Sequence, residues 1–271
     1  MSTDGRRRVE AWPVRLPGLV KPGDDLAAML AQAADLRPGD VVAVSSTVVA
    51  KAEGRAVALA EVEPGAEARR IARRNRDDPR FVEVVLREAS EVLIESPFLL
   101  VRTRFGAVCP NAGVDRSNTE PGTALRHPAD PDRSARGLRS ALERRAGKPL
   151  AVVVTDTCGR PFRLGQAGAA LGLSGFAAIT DWRGRKDLHG NLLEVKQEAV
   201  ADELAALGNF LMGESSEGTP AAVIRGHRFA AANGGAKALH RPVAEDIVRR
   251  ALLHYKDGGR ERGQRAGRRP V

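Results

Sequence analysis

The chain has 271 residues, 42% of them apolar, enough for a core at a size where folding buries roughly 70–75% of the unfolded surface. Its two cysteines, Cys109 and Cys158, exclude a disulfide framework and lack zinc-ligand spacing, so a reducing, cytoplasmic setting is expected. Net charge is +9, but residues 256–271 supply +4 of it, and with 4% aromatics a stacking platform for single-stranded nucleic acid is hard to build.

In chain order, Gly23-Asp24 opens an amphipathic helix over Asp25 to Ala34 with Asp24 as its N-cap. Arg37-Pro38-Gly39-Asp40 is a turn. Val41 to Val44 reads as a short buried strand, followed by the polar Ser45-Ser46-Thr47. Residues 66–76 read as helical. Asp78-Pro79 starts another helix, Asp78 capping and Pro79 in the first position, which runs to about Glu88. Asp130-Pro131 repeats that signature for a helix to about Arg145.

Pro149 to Val154 (PLAVVV) is the clearest strand, ending at the polar Thr155-Asp156-Thr157. A glycine-containing loop over 159–168 leads to a helix over Ala167 to Leu173. Ala199 to Leu211 is helical, Pro220 to Ile224 a short strand, and Pro242 opens a last helix ending near His254. Strands and helices do not alternate in doubly wound order, which predicts an α+β fold with mixed sheets and packed helices. The expected division is a flexible start over 1–11, one domain over 12–255 with an internal boundary near 119–131, and a solvated basic tail over 256–271. A Gly/Arg mixture of that kind cannot form a core. No run approaches the ~18 apolar residues of a membrane helix. The opening MSTDGRRRVE has no apolar stretch of the kind that directs secretion.

Three polar clusters adjoin apolar strands, where loops present functional groups from a rigid scaffold. They are residues 111–118 with Asp115, the triplet with Asp156, and residues 212–219 with Glu214. Hard cations such as Mg²⁺ take oxygen ligands, typically one or two carboxylates plus substrate phosphates. Asp115, Asp156 and Glu214 can supply these only if their loops converge. Taken singly, each fits a turn or cap better than a metal role. Arg160 and Arg163 lie among glycines just after Asp156, a composition that suits phosphate, although an ordinary loop looks the same. Lys51 is a further candidate phosphate ligand, or simply a solvated charge. Walker A, G-x-S-x-G and H-E-x-x-H patterns are absent. The histidines at 127, 189, 227, 240 and 254 never share i, i+4 spacing, and Cys158 reads as a packed thiol rather than a nucleophile.

An ordered series of segments runs from about residue 12 to 228. It comprises Leu16-Pro17-Gly18-Leu19, Gly23-Asp24-Asp25-Leu26, Ser46-Thr47 through Gly54-Arg55, Cys109-Pro110 through Asp115, Thr155-Asp156-Thr157-Cys158-Gly159-Arg160, Ala199 to Ala205, and Met212-Gly213-Glu214 with Glu217-Gly218. This series resembles the F-420-0 gamma-glutamyl ligases, in the single-domain form without a C-terminal flavin-binding domain. The resemblance implies a fold of two intertwined subdomains and a homodimer. It implies GTP as co-substrate, two divalent ions (magnesium or manganese), and potassium. The reaction implied is addition of L-glutamate, then further γ-linked glutamate, to the deazaflavin precursor F-420-0 through an acyl phosphate. By the same resemblance Asp115 and Asp156 are ligands of one metal, Thr157 and Glu214 of a second. Leu16, Pro17, Gly18, Leu19, Ser46, Thr47, Lys51 and Asn118 are implied GTP contacts, as are Met212, Gly213, Ser215, Ser216, Glu217, Gly218 and Thr219. Pro110 and Cys158 depart from the family pattern, and residues 227–254 match it poorly. The competing readings are a ligase of the same chemistry acting on another carboxylate, and a basic nucleic-acid-binding protein.

Overall fold

The computed structural model describes residues 8–254. In chain order these form β1 (Glu10–Val14), α1 (Leu26–Ala33), β2 (Val41–Ser45), α2 (Ser46–Ala52), β3 (Ala56–Ala58), α3 (Ala66–Asn75), α4 (Pro79–Glu88), β4 (Ala89–Ile94) and β5 (Leu100–Thr103). There follow β6 (Val108–Pro110), β7 (Thr123–Leu125), α5 (Pro131–Ala146), β8 (Ala151–Arg160), β9 (Arg163–Ser174), β10 (Thr180–Asp181), β11 (Gln197–Glu198), α6 (Val200–Met212) and β12 (Ala221–Arg225). The fold is α+β with mixed sheets, as the sequence predicts. Of the described residues, those up to Leu239 form one compact unit and those from His240 another. In the latter, the segment opened by Pro242 is a 3-10 turn, Val243–Glu245, before helical residues 247–254. The tail expected at 256–271 lies outside the described residues, as do residues 1–7. Among the described residues, no helix is long and apolar enough to cross a membrane.

The principal sheet has five strands in the order β1-β12-β2-β8-β9, antiparallel except for the parallel pair β2–β8. Its central strands are continuous apolar runs because both faces are covered. Val42, Val44, Val152 and Val154 pack on one face with Leu30 of α1, Val48 of α2 and Leu142 of α5. Val41, Ala43, Val153 and Ile224 pack on the other with Leu204 and Ala205 of α6. Each such buried valine, leucine or isoleucine contributes roughly 1.5–3 kcal/mol. A separate core joins α3, α4 and β5 through Ile71, Phe81, Val85 and Val101.

The two Asp-Pro helices begin where the sequence predicts: Asp78 accepts from the Arg80 N–H at 2.9 Å, and Asp130 from the Arg133 N–H at 2.9 Å. Two expectations are corrected, and one segment without a sequence prediction is defined. Asp25, not Asp24, caps α1, accepting from the Ala28 N–H at 2.9 Å, while Asp24 accepts from the Lys21 N–H at 2.7 Å and closes the preceding turn. Residues 46–52 are a helix despite Thr47, Val48 and Val49; burial of the two valines outweighs the modest helical cost of β-branching. Residues 167–173 are strand, not helix: β8 runs through Thr155-Asp156-Thr157 to Arg160 and turns back into β9. Gly172 shows why the small residues there serve a strand. A Cβ at this position would lie 2.2 Å from the Pro131 carbonyl carbon, so the start of α5 seats directly on the strand backbone.

Candidate active site

Ser45 and Thr155 face each other at the last register position of the parallel pair. There β2 stops, because the Ser45 hydroxyl accepts from the Thr47 N–H at 3.2 Å and α2 begins. β8 continues, paired with β9 through Asp156 opposite Ala169 and Thr157 opposite Gly168. The parallel pairing therefore stops at the carboxyl end of β2 while β8 runs on, and the opening lies on the carboxyl side of the paired strands, the usual place for ligands in such sheets. A cavity of about 480 Å³ opens at this point. Leu16, Gly18, Leu19, Thr47, Lys51, Asp115, Asn118, Asp156, Thr157 and the whole segment from Met212 to Thr219 line it. Of the candidates, Pro17 and Ser46 do not line it, and Ser46 is buried at the start of α2. Arg160 and Arg163 do not line it either; they pair at the end of the β8–β9 hairpin.

Asp115 reaches the cavity from the segment after β6. Its backbone pairs with Leu125 in both directions, at 3.0 and 2.8 Å. Its carboxylate also does what a turn residue does: Oδ1 accepts from the N–H groups of Arg116 and Ser117 at 2.7 and 2.9 Å, and the Ser117 hydroxyl donates to Oδ2. Lys51 Nζ donates to the Asn118 carbonyl at 2.7 Å. Elsewhere in the lining, Asn209 Nδ2 donates to Glu214 Oε1 at 2.6 Å, and the Thr219 hydroxyl donates to the Met212 carbonyl at 2.7 Å, closing the loop. Glu217 accepts from the Ser215 N–H at 2.9 Å; its own N–H and that of Ser215 hold its carboxyl below the usual carboxylate range. Asp156 Oδ2 lies 2.7 Å from His127 Nε2.

The two cysteines flank this region with reactivity suppressed. Burial, aided by the nearby Asp156, pushes the Cys109 thiol up to about 12. Burial does the same in direction to Cys158, with Asp156 and Asp202 adding to it. An attacking thiol requires the opposite shift.

A comparison with family models matches residues 14–226 to the family described as F420-0:Gamma-glutamyl ligase. The chain belongs to this family. It is similar to the coenzyme F420:L-glutamate ligase of Archaeoglobus fulgidus, 49% identical over 245 residues, which span 90% of this chain and 98% of that one. The Haloarcula marismortui protein of that name is 47% identical over 242 residues, 87% of this chain and 94% of its own. The Methanosarcina barkeri protein of that name is 44% identical over 246 residues, 90% and 96% of the two chains.

For a gamma-glutamyl ligase the donor chemistry of the cavity suits a hard cation. Asp115, Asp156, Thr157 and Glu214 offer oxygen alone. Among the described residues no three His, Cys, Asp or Glu side chains gather closely enough to hold a metal ion by themselves. Oxygen donors spread along a cleft match ions that complete their shell with substrate phosphates and water. Two residues escaped the sequence reading: Asn209, which holds Glu214, and His127, which holds Asp156. Neither has a local signal. His127 stands 29 residues before Asp156 and matches no motif spacing.

Proposed function

We propose that this chain is a GTP- and divalent-metal-dependent ligase that adds L-glutamate, then further γ-linked glutamate, to F-420-0. One observation carries the reading: Asp115, Asp156, Thr157 and Glu214 line a single cavity with Lys51 and the 212–219 segment. Side chains suited to phosphate and side chains suited to a hard cation thus share one space, which supports the reading.

A free carboxylate is a poor acyl donor to an amine, so it must be activated. In this scheme the carboxylate oxygen of the precursor attacks the γ-phosphorus of GTP, and the bond to GDP breaks. The amine nitrogen of glutamate then attacks the acyl carbon, inorganic phosphate leaves with the C–O electron pair, and the amine gives up a proton. Lys51 supplies positive charge to the phosphates. The N–H groups and hydroxyls of the 212–219 segment are further donors. Asp115 and Asp156 would hold one divalent ion, Thr157 and Glu214 a second. Bound there, the two ions would offset the charge on the phosphoryl oxygens as the γ-phosphoryl moves.

The deciding experiment incubates the protein with F-420-0, L-glutamate, GTP and Mn²⁺ or Mg²⁺ and follows product mass. The expected result is stepwise gain of glutamate residues, with release of GDP and phosphate that requires both precursor and glutamate. No product under any metal or salt condition overturns the assignment. Turnover only with a different carboxylate would keep the chemistry and replace the substrate.

A further inference from the structure

Next to Asp156 lies a buried polar side chain that the proposed reaction does not use. His127 is 6% exposed, and its Nε2 lies 2.7 Å from Asp156 Oδ2. An ionised carboxylate only accepts, so Nε2 donates. Nδ1 is buried and has no partner among the described residues. The ring's polar output is therefore directed at one residue, Asp156.

The ring is held from several sides. Gly113 faces it so closely that a Cβ there would lie 1.7 Å from the ring Cε1, and the positive φ of +65° at Gly113 favours glycine independently. Phe105 packs with its ring centroid 5.8 Å from that of His127. The His127 carbonyl accepts from Arg55 Nε at 2.8 Å, and Arg55 is paired in turn with Glu88 at 2.9 Å. A space this enclosed would take an apolar side chain without burying an unpaired ring nitrogen, which carries a desolvation cost. What the imidazole adds over an apolar side chain is its bond to Asp156.

We propose that His127 is the positioning residue for Asp156. It commits Oδ2 to a fixed donor, so that the carboxylate is held in one orientation with Oδ1 unengaged by any other described residue. The inference rests on the reading of Asp156 as a metal ligand. Hydrogen-bond partners that orient metal-ligating groups typically govern metal affinity by 10–100-fold.

The test measures Mn²⁺ binding by the full-length protein with GDP present and no turnover, following the paramagnetic resonance signal of free Mn²⁺. The variants are His127→Leu, His127→Asn, His127→Gln and Asp156→Asn. His127→Leu should weaken Mn²⁺ binding roughly 10–100-fold. His127→Asn should do the same, because its shorter amide falls short of Asp156. His127→Gln can place an amide N–H near the position of Nε2 and should recover most of the affinity. The Gln–Asn pair decides the matter if the Leu variant does not fold. A residue with a merely structural role would lower the melting temperature in all three variants and leave Mn²⁺ affinity of the folded protein unchanged; that result overturns the proposal. Asp156→Asn separates the two levels. If it loses Mn²⁺ binding while the His127 variants keep it, only the positioning role fails. If it binds Mn²⁺ as wild type does, or if wild type binds none, the metal reading of Asp156 fails and takes the role of His127 with it.

Discussion

Lys51 Nζ lies 2.7 Å from the carbonyl oxygen of Asn118, a residue 67 positions further along the chain. The bond ties the last turn of α2 to the segment that carries Asp115. An ammonium group has three donors, so this bond leaves two for an incoming anion.

Lys51→Met should therefore raise KM for GTP about 10–100-fold, since a hydrogen bond from a charged donor is worth about 1.5–3 kcal/mol. Steady-state kinetics with varied GTP, alongside a thermal melt of the free protein, checks this. An unchanged KM with a lowered melting temperature would reduce Lys51 to a tie between two segments.

Asp115→Asn, Asp156→Asn and Glu214→Gln should each lose turnover by orders of magnitude, and the double variants should be scarcely worse, because groups that act as a unit are not additive. Mn²⁺ with GDP should raise the melting temperature of the wild type and raise that of each variant much less. If the variants instead keep near-normal turnover and lose about 0.5–2 kcal/mol of stability, they are caps and turn residues only.

Asp40 is fully buried and takes two bonds from Arg225, at 2.8 and 2.7 Å, and one from the Arg37 N–H at 2.7 Å. It joins the turn before β2 to the end of β12. Arg225→Met should cost about 3–5 kcal/mol, because it leaves the fully buried Asp40 carboxylate without its partner. Adding Asp40→Ala should cost little more, because the stranded carboxylate is then gone. Urea unfolding of the two single variants and the double variant measures the coupling; simple additivity would mean the pair does not act as a unit.

The thiol of Cys109 gives a pH dependence whose sign is fixed by burial. Its value in the folded protein is about 12, against an ordinary 9.0. Below pH 9 both folded and unfolded chains keep the proton and the group is neutral to stability. From pH 9 toward 12 the unfolded chain releases it and the folded chain does not, so stability falls as pH rises. Between pH 8 and pH 10.5 the wild type should lose roughly 1–2 kcal/mol more than Cys109→Ala. Equal losses in urea unfolding at the two pH values would contradict the burial of this thiol. Cys158→Ser should retain substantial activity, because the proposed chemistry uses phosphate and metal rather than a thiolate; trapping of an acyl group on Cys158 would show the reverse.

Some of this molecule was fixed locally. The helices after Asp78-Pro79 and Asp130-Pro131 start where their residues say, because a cap bonds an N–H two or three residues away and proline sets its own φ. The strands at Val41, Pro149 and Pro220 were legible because a run buried on both faces must be apolar throughout. Asp115, Asp156, Thr157 and Glu214 were legible as short polar clusters beside those elements.

Tertiary structure decided the rest. Whether residues 46–52 coil or extend depended on what their valines meet, and whether 167–173 form helix or strand depended on β8 alongside and α5 above. The cavity depends on β2 ending at Ser45 while β8 runs on to Arg160, a relation between strands more than a hundred residues apart in the chain. The bonds of His127 to Asp156 and Lys51 to Asn118 join distant segments, and no local spacing encodes them. Capping and burial patterns act over a few residues and leave a mark in the sequence. Convergence of separate segments is set by packing of the whole core, and is read only where the chain has folded.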